Sequence, residues 1–248
     1  MENIYIHMPY GAYGDQISFI GAARIYAKRH TDQRVHVNVL PNVINAYGDG
    51  LLTFTSNPAG MRRIDFQCVN RHRVKNASPD KTYVGTYLAA LGEPVTDAPA
   101  FEPPRLPSKS GGRYIALQPY STFARNAANR TGFVQALIDE CHRILPNVPI
   151  YCIGRPDTPR DLKDIDYSRL GYDVDGLRLI EHAWFVLTPR SASSHIAAGY
   201  RKPTFLWLCG DGEDWHLDYP CWPRMIVSVD DSHAVTTSAL RHFITSQS

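Results

Sequence analysis

The chain has 248 residues, 44% hydrophobic and 20% charged, with a formal net charge of +2. Those values suit a globular protein with a real core, as one large domain or two small ones, and the charge is too mild to demand a polyanionic partner. The cysteines, Cys68, Cys141, Cys152, Cys209 and Cys221, are odd in number and form no CxxC pair, which argues against a disulfide framework or a zinc site; no apolar run approaches the roughly 20 residues that span a bilayer.

The N-terminal stretch MENIYIHMPYGAYGD lacks the basic start and apolar run of a signal peptide, so a cytoplasmic location is expected. Alternation of Ile4, Ile6 and Met8 predicts a strand over Asn3–Met8, and the glycine turn at Gly11–Gly14 leads to a helix from about Gln16 to His30. Val35–Val39 reads as a second strand, completing a βαβ unit. Residues 41–60, rich in Asn, Gly and Pro, have no clear assignment. Ile64–Val69 reads as a strand and Lys81–Leu91 as a helix ending at Gly92. The proline-rich stretch Pro94–Gly112 has no apolar periodicity and reads as a linker, giving domains over 1–105 and 113–248.

The second half restarts the alternation. Strands are expected at Tyr114–Gln118, Pro149–Ile153, Trp184–Thr188, Thr204–Leu208 and Ile226–Val229. Helices are expected from a Thr131 cap to about Leu145, at Leu177–His182, within Pro189–Tyr200, and from about Ala234 to Ser246. Two doubly wound α/β halves would place ligands at the carboxyl ends of their strands, in a cleft between them.

The stretch 184–208, WFVLTPRSASSHIAAGYRKPTFLWL, runs a buried strand into a turn and then directly into a helix. Unpaired N–H groups and the positive end of the helix dipole meet there, as an anion site needs. Arg190 offers a fork suited to phosphate oxygens, and Ser191, Ser193 and Ser194 offer hydroxyls. The plainer reading, that Ser191 or Ser193 merely caps the helix, has equal weight on spacing alone.

This stretch resembles the C-terminal signature of the ADP-heptose–lipopolysaccharide heptosyltransferase family. Ser191, His195, Ala197, Ala198 and Pro203 match it, while Arg190 stands where the family has Asp and Ala192 where it has Gly. A second match is Gly14-Asp15 at the start of the first helix, with Tyr13 and His7 nearby on the acceptor side. The resemblance implies that Asp15 is the catalytic base; a helix cap or first-turn acid is the plainer alternative. Looser matches are Thr82–Gly92 and the loop from Gln118 to Asn126, where Ser121 and Thr122 stand for the family's hydroxyl residues. Asn126 falls at its lysine position, with Arg125 or Arg130 as the nearest cation.

The resemblance implies a GT-B architecture of two Rossmann-like domains facing a cleft, a nucleotide-sugar donor, and no metal or other cofactor. Asp164-Ile165-Asp166 and Asp173-Val174-Asp175 accordingly read as acidic turns. Nucleotide contacts would come from Gly154 and Asp157, with Asp161 as an alternative, and the polar loop Asp211–His216 either lines the cleft or is a solvated turn. Basic residues Arg62, Arg63, Arg71, Arg73 and Lys75 read first as a solvated face. They also suit an anionic acceptor, either cell-envelope saccharide or a hydroxylated DNA base. The expected function is inverting glycosyl transfer. A nucleotide-sugar epimerase and a non-catalytic nucleotide-binding protein on the same fold are the alternatives.

Overall fold

The described residues of the computed structural model are 1–8, 13–64, 82–95, 101–107, 112–121, 131–168, 174–208, 219, 222–229 and 233–247. They form two parallel sheets. The chain divides into two units, Met1–Arg105 with Asp214–Pro220, and Leu106–Glu213 with Cys221–Ser248. Among the described residues no helix is long and apolar enough to cross a membrane.

In the first unit β1 (Glu2–Ile6) is followed by α1 (Tyr13–Arg29), β2 (Gln33–Val37), α2 (Pro41–Tyr47), β3 (Leu52–Phe54), β4 (Arg62–Ile64) and α3 (Tyr83–Ala90). Strand order is β3-β2-β1-β4, all parallel, with Ile4 opposite both Val35 and Arg62. The second strand ends two residues earlier than its β-branched run suggests. Leu40 adopts a left-handed φ of 32° and turns the chain into α2, whose first residue is Pro41. That helix and β3 fill the region left unassigned by sequence; the part of the expected 64–69 strand beyond Ile64 lies outside the described residues.

Helix α1 is buried on nearly every side. A Cβ added at Gly21 would lie 3.2 Å from Val84 Cγ2 and 3.4 Å from the Phe101 Cα, so glycine permits the close approach of α3 and the 101–107 stretch. Phe101, Pro103, Pro104 and Leu106 are all buried. The described part of the proline-rich stretch is therefore packed. Arg24 is buried in the same unit, where its guanidinium pairs with both Asp49 oxygens (3.3 and 2.8 Å) and lies 3.6 Å over the Tyr47 ring.

In the second unit the elements are β5 (Ile115–Leu117), α4 (Thr131–Ile144), β6 (Ile150–Cys152), α5 (Val174–His182), β7 (Phe185–Pro189), α6 (Ala192–Gly199), β8 (Thr204–Leu208), β9 (Arg224–Ser228) and α7 (His233–Ser246). The order is β6-β5-β7-β8-β9, all parallel. Central β5 and β7 are buried at every residue, while edge β9 is half-exposed, which is why the first two read as continuous apolar runs. Phe133, Leu137, Leu187, Phe205, Trp207 and Phe243 form the core between sheet and helices. Thr131 is the first residue of α4 rather than its cap, and its hydroxyl donates to Asp161 Oδ2 at 3.1 Å.

Candidate functional site

Chain direction reverses across the second sheet between β5 and β7: from β5 the chain moves to β6 on one side, then returns to β7 on the other. Such a switch point opens a crevice beyond the carboxyl ends of the strands. Gln118 follows β5 there, and Arg190 and Ser191 follow β7. The two segments are joined first by backbone, Gln118 N–H donating to Leu187 O at 2.9 Å. They are joined again by side chains: Ser191 Oγ donates to Gln118 Oε1 at 3.0 Å, and Ser193 Oγ donates to the same oxygen. Gln118 Nε2 donates to Tyr120 O at 2.8 Å. Gln118 is 4% exposed and Ser193 fully buried.

Ser191 is the N-cap of α6 in extended conformation. Its N–H donates to Ser194 Oγ (3.3 Å), which donates back to Ser191 O (2.6 Å), while Thr188 Oγ1 lies 2.9 Å from Ser191 Oγ. The serine-rich turn is thus both a cap and a link to β5. His195 is buried in the next turn; desolvation, then the Arg190 charge, push its pKa down to about 3, so it is neutral. Arg190 is half-exposed at the positive end of α6.

In the first unit the switch point lies between β1 and β4, beside the end of β1. His7 follows that strand, half-buried, its Nδ1 3.3 Å from the Tyr5 hydroxyl. Asp15 is the third residue of α1, an acid in the first turn, where the helix dipole favours it. It is 5% exposed and accepts a hydrogen bond on Oδ1 from the Tyr87 hydroxyl of α3 at 3.2 Å. Tyr13 and Gly14 open the same helix, and Gly14 O accepts from the Ser18 hydroxyl at 3.0 Å.

The remaining sequence-predicted residues divide. Ser121 is half-buried just after Tyr120. Thr122, Arg125, Asn126 and Arg130, the loop 211–216, and the basic run apart from Arg62 and Arg63 lie outside the described residues. Gly154 closes β6 with a φ of 149°, and an added Cβ would lie 2.9 Å from Thr158 Oγ1. Asp157 is an exposed residue paired with Arg155 at 3.0 Å. Asp161 instead gathers the loops: Tyr120 Oη donates to it at 2.6 Å beside the Thr131 bond. Burial, then the Asp161 carboxylate, raise the Tyr120 phenol pKa.

Gln118 and Tyr87 fall within the matched stretches, yet the resemblance assigns a role to neither. A polar residue ending an apolar strand was the available signal for Gln118, whereas Tyr87 sits on an apolar helix face and gave none. Among the described residues, no group of three or more His, Cys, Asp or Glu side chains is placed to hold a metal ion.

Neither protein-family profiles nor curated sequences match the chain. Solved structures do. TibC from enterotoxigenic E. coli, a dodecameric iron-containing glycosyltransferase, superposes at TM-score 0.68 and 17% identity over 100% of this chain and 79% of that one. The same protein in complex with ADP-D-beta-D-heptose matches at TM-score 0.68 and 17% identity over 98% of this chain and 75% of that one. E. coli heptosyltransferase WaaC with ADP gives TM-score 0.63 at 10% identity over 99% and 100%. These likenesses establish the fold, an α/β chain with two parallel sheets of the GT-B kind, in agreement with the sequence resemblance.

Proposed function

We propose that the chain is a glycosyltransferase that moves a sugar from a nucleotide-diphosphate-sugar to an acceptor hydroxyl, inverting the anomeric carbon without a metal. One observation carries the reading: Arg190 and the head of α6 stand at the β5/β7 switch point, on a fold shared with a heptosyltransferase solved with ADP-heptose. As the acceptor oxygen bonds to the anomeric carbon, the bond from that carbon to the diphosphate breaks and its electron pair leaves with the phosphate. Arg190 and the N-terminal amides of α6 stabilise that charge, and Asp15 takes the hydroxyl proton. Tyr87 holds one oxygen of the Asp15 carboxylate. The acceptor is anionic in this reading, a cell-envelope saccharide or a hydroxylated DNA base. Its support is the basic run from Arg62, although Arg62 itself is paired with Glu2 at 2.7 Å. The reaction is placed in the cytoplasm.

The replacement of the family's Asp by Arg190, with the serine protons directed at Gln118, favours a second reading, nucleotide binding without transfer. A thermal-shift screen of nucleoside diphosphates and nucleotide-sugars identifies the donor, and transfer is then assayed on Asp15→Asn. Loss of about 10²–10⁴-fold in turnover with nucleoside diphosphate affinity unchanged is expected for a general base. Full activity in Asp15→Asn removes the base; binding without turnover across saccharide and DNA acceptors supports the second reading.

A further inference from the structure

We infer that Gln118 is the positioning residue of the donor site: it takes the Ser191 and Ser193 hydroxyl protons for itself, leaving the diphosphate to Arg190 and backbone N–H groups. The inference rests on the donor-binding reading above. The side-chain amide orientation follows from its partners. Tyr120 O can only accept, so Nε2 must face it, and Oε1 must then face the two serines. Each hydroxyl has one proton, and a fully ionised phosphate has none to offer. A serine that donates to Gln118 therefore cannot donate to the ligand at the same time.

The amide acts across the two strands that flank the switch point. Its main chain continues β5 and bonds to β7, while its side chain bonds to the turn after β7. Burial removes water as a competitor for these bonds, so the turn geometry is fixed before any ligand arrives. Ala192 and Ser193, in the first turn of α6, carry N–H groups that α-helix geometry leaves without an intrahelical acceptor. Those groups and Arg190 are the donors that this inference assigns to the phosphate oxygens. Glutamine suits the position where glutamate does not. A carboxylate could accept from both serines, but it would face the Tyr120 carbonyl without a proton and place negative charge beside an anion site.

The test is a double-mutant cycle of Gln118→Met, Ser193→Ala and the pair, with ADP affinity measured by calorimetry and folding by urea denaturation. Gln118→Met is expected to weaken ADP binding about ten-fold, the scale of one or two lost hydrogen bonds. The double variant should bind no more weakly than Gln118→Met alone, because both substitutions break the same bond. Losses that multiply would assign Ser193 a direct ligand contact and overturn the inference. Gln118→Glu covers the case in which Gln118→Met does not fold. It keeps an oxygen acceptor for both serines but loses the donor to Tyr120 O, and ADP affinity equal to wild type in that variant also overturns the inference. A wild-type chain that binds neither ADP nor any other nucleoside diphosphate overturns the donor reading itself, and this inference with it.

Discussion

Acid should destabilise the second unit through one side chain, His195. It is 3% exposed on α6, and its folded pKa is about 3, against about 6.5 for an unfolded histidine. A depressed folded pKa means the stabilisation is complete above the unfolded value and drains away as pH falls from about 6.5 towards about 3, because only the unfolded chain takes up the proton. At pH 5.5 the unfolded state gains RT ln(1 + 10) from that proton, about 1.4 kcal/mol, and any folded pKa well below 5.5 gives the same figure. The assay is urea unfolding read by tryptophan fluorescence at pH 7.5 and 5.5, for wild type and His195→Gln. Trp184, Trp207 and Trp222 all lie in the second unit and report its unfolding. The intrinsic cost of the substitution cancels between the two pH values, as do the other titrating groups. Wild type should lose about 1.4 kcal/mol more than the variant over that interval. Equal losses would mean that His195 charges in the folded state, and the buried, neutral environment assigned to the head of α6 would be wrong.

Glu140 gives a second acid-sensitive contact, between α4 and α7. Its carboxylate accepts from Arg143 (2.8 and 2.7 Å) and Arg241 (2.9 Å), and these partners, Arg143 foremost, hold its pKa down at about 2. Glu140→Gln should lower the urea midpoint at pH 7, with the difference from wild type shrinking as pH falls from about 4.5 towards about 2; equal midpoints at pH 7 would contradict this. Gly154→Ala forces a side chain onto a φ of 149° and against Thr158 Oγ1, and should cost about 1–3 kcal/mol by chemical denaturation. Adding Thr158→Ala should recover only the contact part of that loss. Cys141 and Cys152 are buried, and burial pushes both thiols up to about 12. Neither should be alkylated by iodoacetamide in the native protein at pH 7.5, and both should be after urea, as read by peptide mass spectrometry.

The strands of the second sheet were legible because a central parallel strand is apolar on both faces. Phe185–Leu187 and Thr204–Leu208 stand out as uninterrupted runs. Edges were less clear: β9 begins at Arg224, and its pairing to β8 rather than its side chains sets where it starts. The 41–60 region carried its own signals, Pro41 at the first helical position and Gly48 with a φ of 64° after the last, but its short elements offered too few residues for a period. In the site, spacing made the 190–195 turn visible and could not say where its hydroxyls point. Ser191 and Ser193 are paired with a glutamine more than 70 positions earlier, and that pairing exists only once β5 lies beside β7.

Arg190 bears most directly on what the turn does. A cation just before an N-cap opposes the helix dipole, costing about 0.3–1 kcal/mol, and the buried His195 behind it is also driven neutral by that charge. The capping hydrogen bonds at this end of α6 run between the Ser191 backbone and the Ser194 hydroxyl. An arrangement that works against the stability of its own element is a mark of a site built for a ligand. A diphosphate facing Arg190 suits the dipole and relieves the field on His195. If that balance governs the turn, Arg190→Gln should weaken nucleoside diphosphate binding by calorimetry while the apo protein stays folded. A less stable apo variant with unchanged affinity would make Arg190 a structural residue, and the case for an anion at the head of α6 would fail with it.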